Sequence, residues 1–186
     1  MNHLSGSGKL YLKEYYALKY AENTVNTFLD NLLNDTYQYI VARLPKNVNH
    51  YSWSANQAKQ GRMELYPHFS SNHGIFAGDK VELSVLYRDV RDYDHMEKTA
   101  SIRLSIYCRK GLKARFGDIP QAVLQNACES AEQHGITIQI EKGQPLYCEY
   151  IDVNLDDVEE TIREVGEAMI RIGKGVDAFV DGVLVG

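Results

Sequence analysis

The sequence lacks the features of membrane-spanning and secreted proteins. It has no run of about eighteen or more apolar residues, the length that a membrane-spanning helix needs. Its amino terminus lacks the charged, apolar and small-residue order of a secretory leader. The three cysteines, Cys108, Cys128 and Cys148, are an odd number without a CxxC spacing, which argues against a disulfide framework and against a zinc site. We therefore predict a cytoplasmic protein with reduced, buried thiols and no membrane partner.

Motifs of several catalytic classes are also missing. The opening SGSGK does not complete a phosphate loop, because His3 stands where that motif requires glycine and Leu10 where it requires serine or threonine. There is no GxSxG motif of a serine hydrolase. The Glu-x-Lys element of restriction-type nucleases is absent, since no glutamate on a predicted strand is followed two residues later by lysine. We predict no cofactor and favour a non-enzymatic function.

Positive charge is scarce, and the 186 residues carry a net charge of −5. This balance argues against a broad nucleic-acid surface, because non-specific affinity for phosphates comes mainly from clustered Lys and Arg. One dense basic run, CRKGLKARFGD, has the chemistry to receive an anion or an acidic partner through Arg109, Lys110, Lys113 and Arg115. We favour a solvated turn there, and keep a nucleic-acid-binding accessory protein as an alternative function.

Hydrophobic periodicity divides the first part of the chain into a helix and strands. Apolar residues recur at helical intervals over residues 11–44, which predicts one long helix or two helices broken near Asn34. The alternation in VELSVLY and SIRLSIY predicts two antiparallel strands, and MELYPHF predicts an edge strand. A helix capped at Asp118 is then predicted to end at Gly135.

The second part of the chain predicts another hairpin and a last helix. ITIQIE alternates, turns at KGQP and returns as LYCEYIDV. Asn154 is predicted to cap the final helix, which Gly173 and Gly175 loosen before the apolar tail VDAFVDGVLVG. The expected fold class is α+β, a mainly antiparallel sheet of about five strands covered by helices, in the order α-βββ(β)-α-ββ-α. Residues 10–186 are predicted to form one domain after a flexible lead-in at residues 1–9.

The stretch RDVRDYDHMEK, residues 88–98, concentrates side chains that can bind a divalent metal. If neighbouring loops meet at one end of the sheet, they can form the site of a metal-dependent phosphoester hydrolase. Its four ligands are His68, His73, Asp94 and His95. A solvated loop that extends two strands explains the same residues, and we favour it because no HxH or HxxxH spacing occurs.

Tyrosine is the one compositional excess, with 13 residues. Those on the first predicted helix are spread around its circumference, so they cannot all face one core. Tyrosine suits interfaces because its ring packs while its hydroxyl stays hydrated. We predict an inhibitor, adaptor or chaperone-like protein that binds a protein of unknown identity and acts as a homodimer. The predicted partner-binding residues are Tyr16, Tyr20, Tyr37, Arg88, Arg91, Tyr93 and Phe179.

Overall fold

Two long helices, one near each end of the chain, dominate the described structure. The computed structural model describes residues 5–43, 51–56, 62–69, 81–86, 101–108, 110–141 and 143–185, with the backbone alone at 51–56, 62–69 and 81–86 and at the single positions 26, 29, 33, 108, 110–112 and 185. The helices are α1 (Gly6–Val41), α2 (Lys110–Arg115), α3 (Gln121–Glu132) and α4 (Val158–Val185), and a 3-10 turn spans Phe116–Asp118. The strands are β1 (Tyr51–Asn56), β2 (Arg62–Phe69), β3 (Val81–Leu86), β4 (Ser101–Cys108) and β5 (Tyr147–Asp152). None of the helices in this described part is long and apolar enough to cross a membrane.

The predicted α+β fold class, with a sheet of about five strands covered by helices, was wrong. Where the structure describes backbone and side chains together, 68% of the residues are helical, in four helices. The strands in that part are β4 and β5, which form a two-stranded antiparallel sheet, and that part contains no five-stranded sheet. Helices dominate because α1 and α4 span 36 and 28 residues, and α4 includes a tail that the glycines were expected to loosen.

Strand β4 pairs antiparallel with β5, from Ser101 opposite Asp152 to Ile106 opposite Tyr147. The apolar face of β4 is buried, as the alternation in SIRLSIY predicted. In the part where only the backbone is described, β3 runs antiparallel along the other edge of β4, and β2 and β1 follow it. Strand β4 therefore carries the only strand side chains in the described structure that pack centrally in the core.

The second predicted hairpin was wrong in its first half. LYCEYIDV contains β5, but residues 136–140 form no strand, and β5 pairs with β4 instead. The alternation arises because Ile136 and Ile138 are buried in the core while Gln139 is exposed. Any extended segment over a core produces this period of two, whether or not a strand lies beside it. The amide of Gln139 donates to the carbonyl of Leu146 at 2.7 Å, which closes the turn between them.

Helix α1 is one continuous helix, the first of the two forms that the periodicity allowed. It begins at Gly6, within the predicted lead-in, where the Ser5 hydroxyl accepts a hydrogen bond from the amide of Gly8 at 3.2 Å. Its carboxy-terminal part packs against α4 and buries Leu32 and Ile40. Only this part of α1 contributes to the core of the described structure.

Tyr39 is the main polar link between α1 and α4. Its hydroxyl donates to the carboxylate of Glu167 at 2.5 Å, and the guanidinium carbon of Arg43 lies 3.6 Å from the centre of its ring. The ring also lies against Gly166, where a Cβ atom would overlap it. The close contact of the two helices therefore depends on a glycine in α4.

Helix α4 continues to Val185, so the predicted loosening at Gly173 and Gly175 was wrong. A Cβ atom at Gly175 would lie 2.5 Å from Cγ1 of Ile136, which is closer than real Cβ contacts. Glycine costs a helix about 1 kcal/mol relative to alanine, but tertiary contacts override that preference. The glycines of α4 are positions of close packing, and they do not end the helix.

The predicted caps of α3 and α4 were wrong, although the predicted end of α3 is confirmed. Gly135 has φ +72°, the left-handed conformation that ends helices. Pro120 occupies the N-cap position of α3, and no side chain caps it, so Asp118 forms no capping box. In α4 the first-turn amide of Glu160 donates to Asp157 Oδ1 at 2.9 Å. Asn154 instead organises the preceding turn, where its Oδ1 accepts two backbone amides.

The core lies between α4 and the elements that it covers. The rings of Phe116 and Phe179 meet edge to face, with centroids 5.6 Å apart and planes at 86°. Both residues are almost completely buried. The buried side of α4 repeats at helical spacing and consists of Val165, Ala168, Met169, Ile172, Val176, Phe179 and Val180.

Candidate functional site

The amino-terminal half of α1 is exposed on all sides. Every residue from 9 to 25 is exposed, and we call residues 9–25 the exposed segment. With a rise of about 1.5 Å per residue, it is roughly 25 Å long. Eight of its large side chains are 40–84% exposed: Leu10, Tyr11, Leu12, Tyr15, Tyr16, Leu18, Tyr20 and Val25.

These eight side chains expose more surface than the largest apolar patch of an ordinary monomer. A large side chain has about 150–250 Å² of surface, so the exposed fractions leave roughly 900 Å² uncovered. The largest apolar patch on a typical soluble monomer is about 300–600 Å². Leu155, which is 68% exposed before α4, is by contrast a single exposed residue of the ordinary kind. The exposed segment therefore has the character of an interaction surface.

Local interactions give the exposed segment only weak support as a helix. The Lys19 ammonium donates to Glu22 at 2.9 Å, and this hydrogen bond raises the pKa of Lys19, but both groups are exposed. The rings of Tyr11 and Tyr15 meet edge to face at 5.9 Å. Residues 23–27, with the sequence NTVNT, are poor helix formers. Most helical stability in proteins comes from packing, which the exposed segment lacks within its own chain.

An apolar stripe connects the exposed segment to the packed part of α1. Residues spaced by seven follow this stripe: Tyr11, Leu18, Val25, Leu32 and Tyr39. Seven residues fall about 20° short of two helical turns, so neighbouring members of the series lie on nearly the same face, and the series drifts around the helix by about 80° from Tyr11 to Tyr39. The last two pack into the core beside α4, whereas the first three are exposed. The face that α4 covers at one end of α1 thus continues uncovered at the other.

The predicted partner-binding residues fall into four groups. Tyr16 and Tyr20 are on the exposed segment and are 84% and 76% exposed, while Tyr37 is half-buried against the core. Phe179 is buried in the core, so its assignment to a partner contact is corrected. The error came from treating the last residues as a loose tail. Outside the described residues lie Arg88, Arg91 and Tyr93, with the rest of the charged stretch.

The sequence prediction also missed part of the exposed segment. Tyr11 and Leu18 belong to the helical apolar pattern of residues 11–44, and Leu10 and Leu12 stand outside the predicted partner-binding set. Periodicity identifies an apolar face but does not tell whether the same chain or another covers it. The sequence did contain a sign of exposure on several sides. Leu10, Tyr11 and Leu12 are consecutive, and consecutive side chains of a helix point in different directions, so they cannot all lie on one covered face.

The predicted anion-binding run is only partly described. The Lys113 ammonium donates to the carbonyl of Gln144 at 2.8 Å, so this charge binds a loop of the protein itself. Arg115 is half-buried. The side chains of Arg109 and Lys110 lie outside the described part. Anion binding by the run stays a prediction.

The alternative metal site lies outside the side chains that the structure describes. His68 belongs to β2, of which only the backbone is described, and His73, Asp94 and His95 are outside the described residues altogether. Among the residues that are described, no group of three or more His, Cys, Asp or Glu could hold a metal ion. The metal-dependent hydrolase therefore remains an untested alternative.

A polar cluster on β5 and α4 was not predicted from the sequence. Arg171 Nη2 donates to both carboxylate oxygens of Glu149, at 2.6 and 2.7 Å. The Tyr147 hydroxyl donates to Glu149 at 2.7 Å, and Arg171 Nη1 donates to the carbonyl of Gly135 at 3.3 Å. Charge-assisted pairs of this kind are among the stronger hydrogen bonds in proteins. The cluster joins β5, α4 and the turn after α3.

Burial and hydrogen bonding shift the titration of this cluster. Burial, and after it the hydrogen bond to Glu149, raises the pKa of Tyr147. Burial alone would lower the pKa of Arg171, but its bonds to Glu149 and Tyr147 outweigh that effect and raise it. The phenol therefore stays neutral and the guanidinium charged at physiological pH. The cluster is suited to holding the elements together, and not to exchanging protons.

We expect the pair of Glu149 and Arg171 to contribute measurably to stability. Glu149→Gln or Arg171→Met leaves one half-buried charge without its partner, and each should lower the free energy of unfolding by about 1–2 kcal/mol. Urea unfolding of the two single variants and the double variant measures their coupling. The matched control is the exposed pair of Lys19 and Glu22, which should show no appreciable coupling. Equal coupling in the two pairs would contradict the structural role of the cluster.

The described thiols are not built for nucleophilic chemistry. Cys128 and Cys148 are both half-buried. Burial raises the pKa of the Cys128 thiol, and the charges of Glu132 and Glu129 raise it further, so the reactive thiolate is disfavoured. Cys148 lines a cavity of about 300 Å³ together with Thr137, Gln139, Glu141, Gln144, Pro145 and Tyr147.

The exposed segment is thus the most distinctive surface of the described structure, and the polar cluster is structural. Function has to be inferred from the surface chemistry of this chain. Comparisons with family models, with curated proteins and with solved structures returned no match.

Proposed function

We propose that the protein works by binding another protein, and that the exposed segment of α1 is its binding surface. The observation that carries this proposal is the set of eight large side chains, 40–84% exposed, on one 25 Å length of helix. The predicted homodimer is one form of this function.

The shape and chemistry of the surface favour a protein partner. Sites for small molecules are concave, whereas the exposed segment is a convex helix. An amphipathic helix of this kind binds by laying its apolar side in a groove of another protein or along another helix. Tyr16 and Tyr20 add rings that pack while their hydroxyls remain hydrated. An inhibitor, an adaptor and a chaperone-like protein all bind in this way, and a cytoplasmic location remains part of the proposal.

The test is photo-crosslinking in the cells that produce the protein. A photoreactive amino acid replaces Tyr16, which is 84% exposed on the exposed segment, or Leu155, which is 68% exposed outside it. We expect a discrete protein adduct from position 16 and none from position 155, because only the first position belongs to the proposed surface. Mass spectrometry of the adduct identifies the partner.

The outcome that would contradict this proposal is the absence of any discrete adduct at position 16. The same photoreactive amino acid at Tyr20 and Leu12 guards against a poor geometry at one site, since both are also strongly exposed. Adducts of equal yield at position 155 would show unspecific contact and would contradict the proposal as well.

A further inference from the structure

We infer that the exposed segment of α1 is a folding unit separate from the rest of the helix, which opens in the free chain and closes when it binds. The break between the two parts lies at residues 23–27. The opening follows from this chain alone, while its role in binding rests on the proposed function. Three observations support the opening: the exposure of every residue from 9 to 25, the low helix propensity of the break, and the charges along the segment.

The two parts of α1 are held in different ways. The carboxy-terminal part packs against α4 and buries Leu32 and Ile40. In the exposed segment, the side-chain hydrogen bonds that the structure describes all stay within α1. Even an alanine-rich helix is marginal in water below about 12–15 residues, because most helical stability comes from packing. The exposed segment is only slightly longer than that limit, and its stability depends on the helix that anchors it.

The break separates the exposed segment from this anchor. It is a run of five poor helix formers, Asn23, Thr24, Val25, Asn26 and Thr27. Each makes helix growth through its position roughly threefold less favourable than alanine does. The hydroxyls of Thr24 and Thr27 also donate to the carbonyls four residues earlier, at 2.9 Å each, and such bonds slightly destabilise a helix. Growth across all five positions is therefore on the order of a hundredfold less favourable than growth across five alanines.

The charges of the exposed segment do not compensate for the break. Lys9 and Lys13 are four residues apart and repel each other, and Lys9 lies in the first turn, where the helix dipole disfavours positive charge. Glu14 has no basic residue three or four positions away. Lys19 and Glu22 form an ion pair, but it is exposed and runs in the less favourable direction along the helix.

The exposed segment can nevertheless form helix when a partner covers it. Apart from their tyrosines, residues 9–22 consist of Leu, Lys, Glu and Ala, which are good helix formers. The apparent affinity for a partner falls in proportion to the fraction of chains in which the segment is closed. At about 100° per residue, Asn23, Thr24 and Thr27 lie on the other side of α1 from the apolar stripe. The break therefore lowers the affinity through residues that are not part of this stripe.

Hydrogen exchange of the purified full chain tests the opening. Mass spectrometry follows the exchange at a dilution where light scattering gives the 21.1 kDa of one chain. We expect the amides of residues 9–25 to exchange within about tenfold of the rate of an unfolded chain. Those of residues 34–41 should exchange at least about a hundredfold more slowly, because only that part of α1 packs against α4. Equal protection of the two parts would overturn the inference.

A variant that repairs the break tests its position. Asn23→Ala, Thr24→Ala and Thr27→Ala replace three exposed residues, and together they should shift the equilibrium towards the closed helix by at least about tenfold. The Cα chemical shifts of residues 9–22 measure this as a rise in helical fraction. The matched control is Asn126→Ala, at an exposed position of α3, which packs along α4 and should keep its helical content. An unchanged helical fraction in the triple variant would contradict the break.

The adduct at position 16 tests the coupling to binding and separates the two proposals. Its yield should be several-fold higher in the triple variant, because more chains hold the segment closed. Equal yields in the two backgrounds would overturn the coupling. Strong protection of residues 9–25 in the free chain overturns this inference and leaves the proposed function standing. Absence of an adduct in both backgrounds contradicts the proposed function, whereas the exchange result does not depend on a partner.

Discussion

Replacement of Phe179 by alanine should lower the free energy of unfolding by about 3–5 kcal/mol. The ring is 2% exposed and packs edge to face on Phe116, with centroids 5.6 Å apart. Truncation removes this contact and leaves a cavity, because α4 is fixed by close contacts along its length and cannot move in to fill it. Urea unfolding followed by circular dichroism measures the loss as a shift of the midpoint.

Two further variants make this expectation specific. Leu155→Ala removes a large side chain that is 68% exposed, and should change the stability by no more than about 0.5 kcal/mol. Phe116→Ala combined with Phe179→Ala should cost less than the sum of the single variants, because the two rings lose the same contact. A Phe179→Ala variant with normal stability would instead support the original prediction that this residue faces a partner.

Gly182→Val should destabilise the protein by about 2–3 kcal/mol although it improves the helix propensity of α4. A Cβ atom at this position would lie 2.8 Å from Cα and 2.9 Å from Cβ of Ala127 in α3. The nearest obstacle is backbone, which a change of rotamer cannot move, so α3 and α4 must separate. Separation opens the core along the length of both helices, where interiors are normally close-packed. Thermal and urea unfolding both measure the effect.

The control for this variant is Gly117→Ala. Nothing lies within 4 Å of a Cβ atom at Gly117, so the substitution should be neutral within about 0.5 kcal/mol. Gly182→Val combined with Ala127→Gly should recover only part of the loss, because Cα of residue 127 remains in the way. Full stability of the single variant Gly182→Val would show that the two helices are not in close contact there.

The candidate surface was only partly accessible from the sequence. The excess of tyrosine led to the prediction of a binding surface on α1, and Tyr16 and Tyr20 are exposed there. Tyr11 and Leu18 were absent from the predicted partner-binding residues, and they continue the stripe of Leu32. The spacing shows that one face of α1 is apolar, but it does not show how much of that face is covered. The position of α4 decides that.

What the sequence alone determined is local: the helical character of α1, the strand at residues 101–108 and the left-handed turn at Gly135 that follows α3. These follow from periodicities and from backbone preferences of neighbouring residues, which act without distant partners. The tertiary structure decided the rest, because a glycine in a helix and an alternating apolar segment are each compatible with more than one local structure. Glycine disfavours a helix by itself, but α4 continues, and Ile136 and Ala127 lie against Gly175 and Gly182. ITIQIE has the alternation of a strand, but residues 136–140 form none, and Ile136 and Ile138 are buried in the core. Only contacts between residues far apart in the chain distinguish these alternatives, since packing overrides intrinsic preference wherever it contributes more free energy.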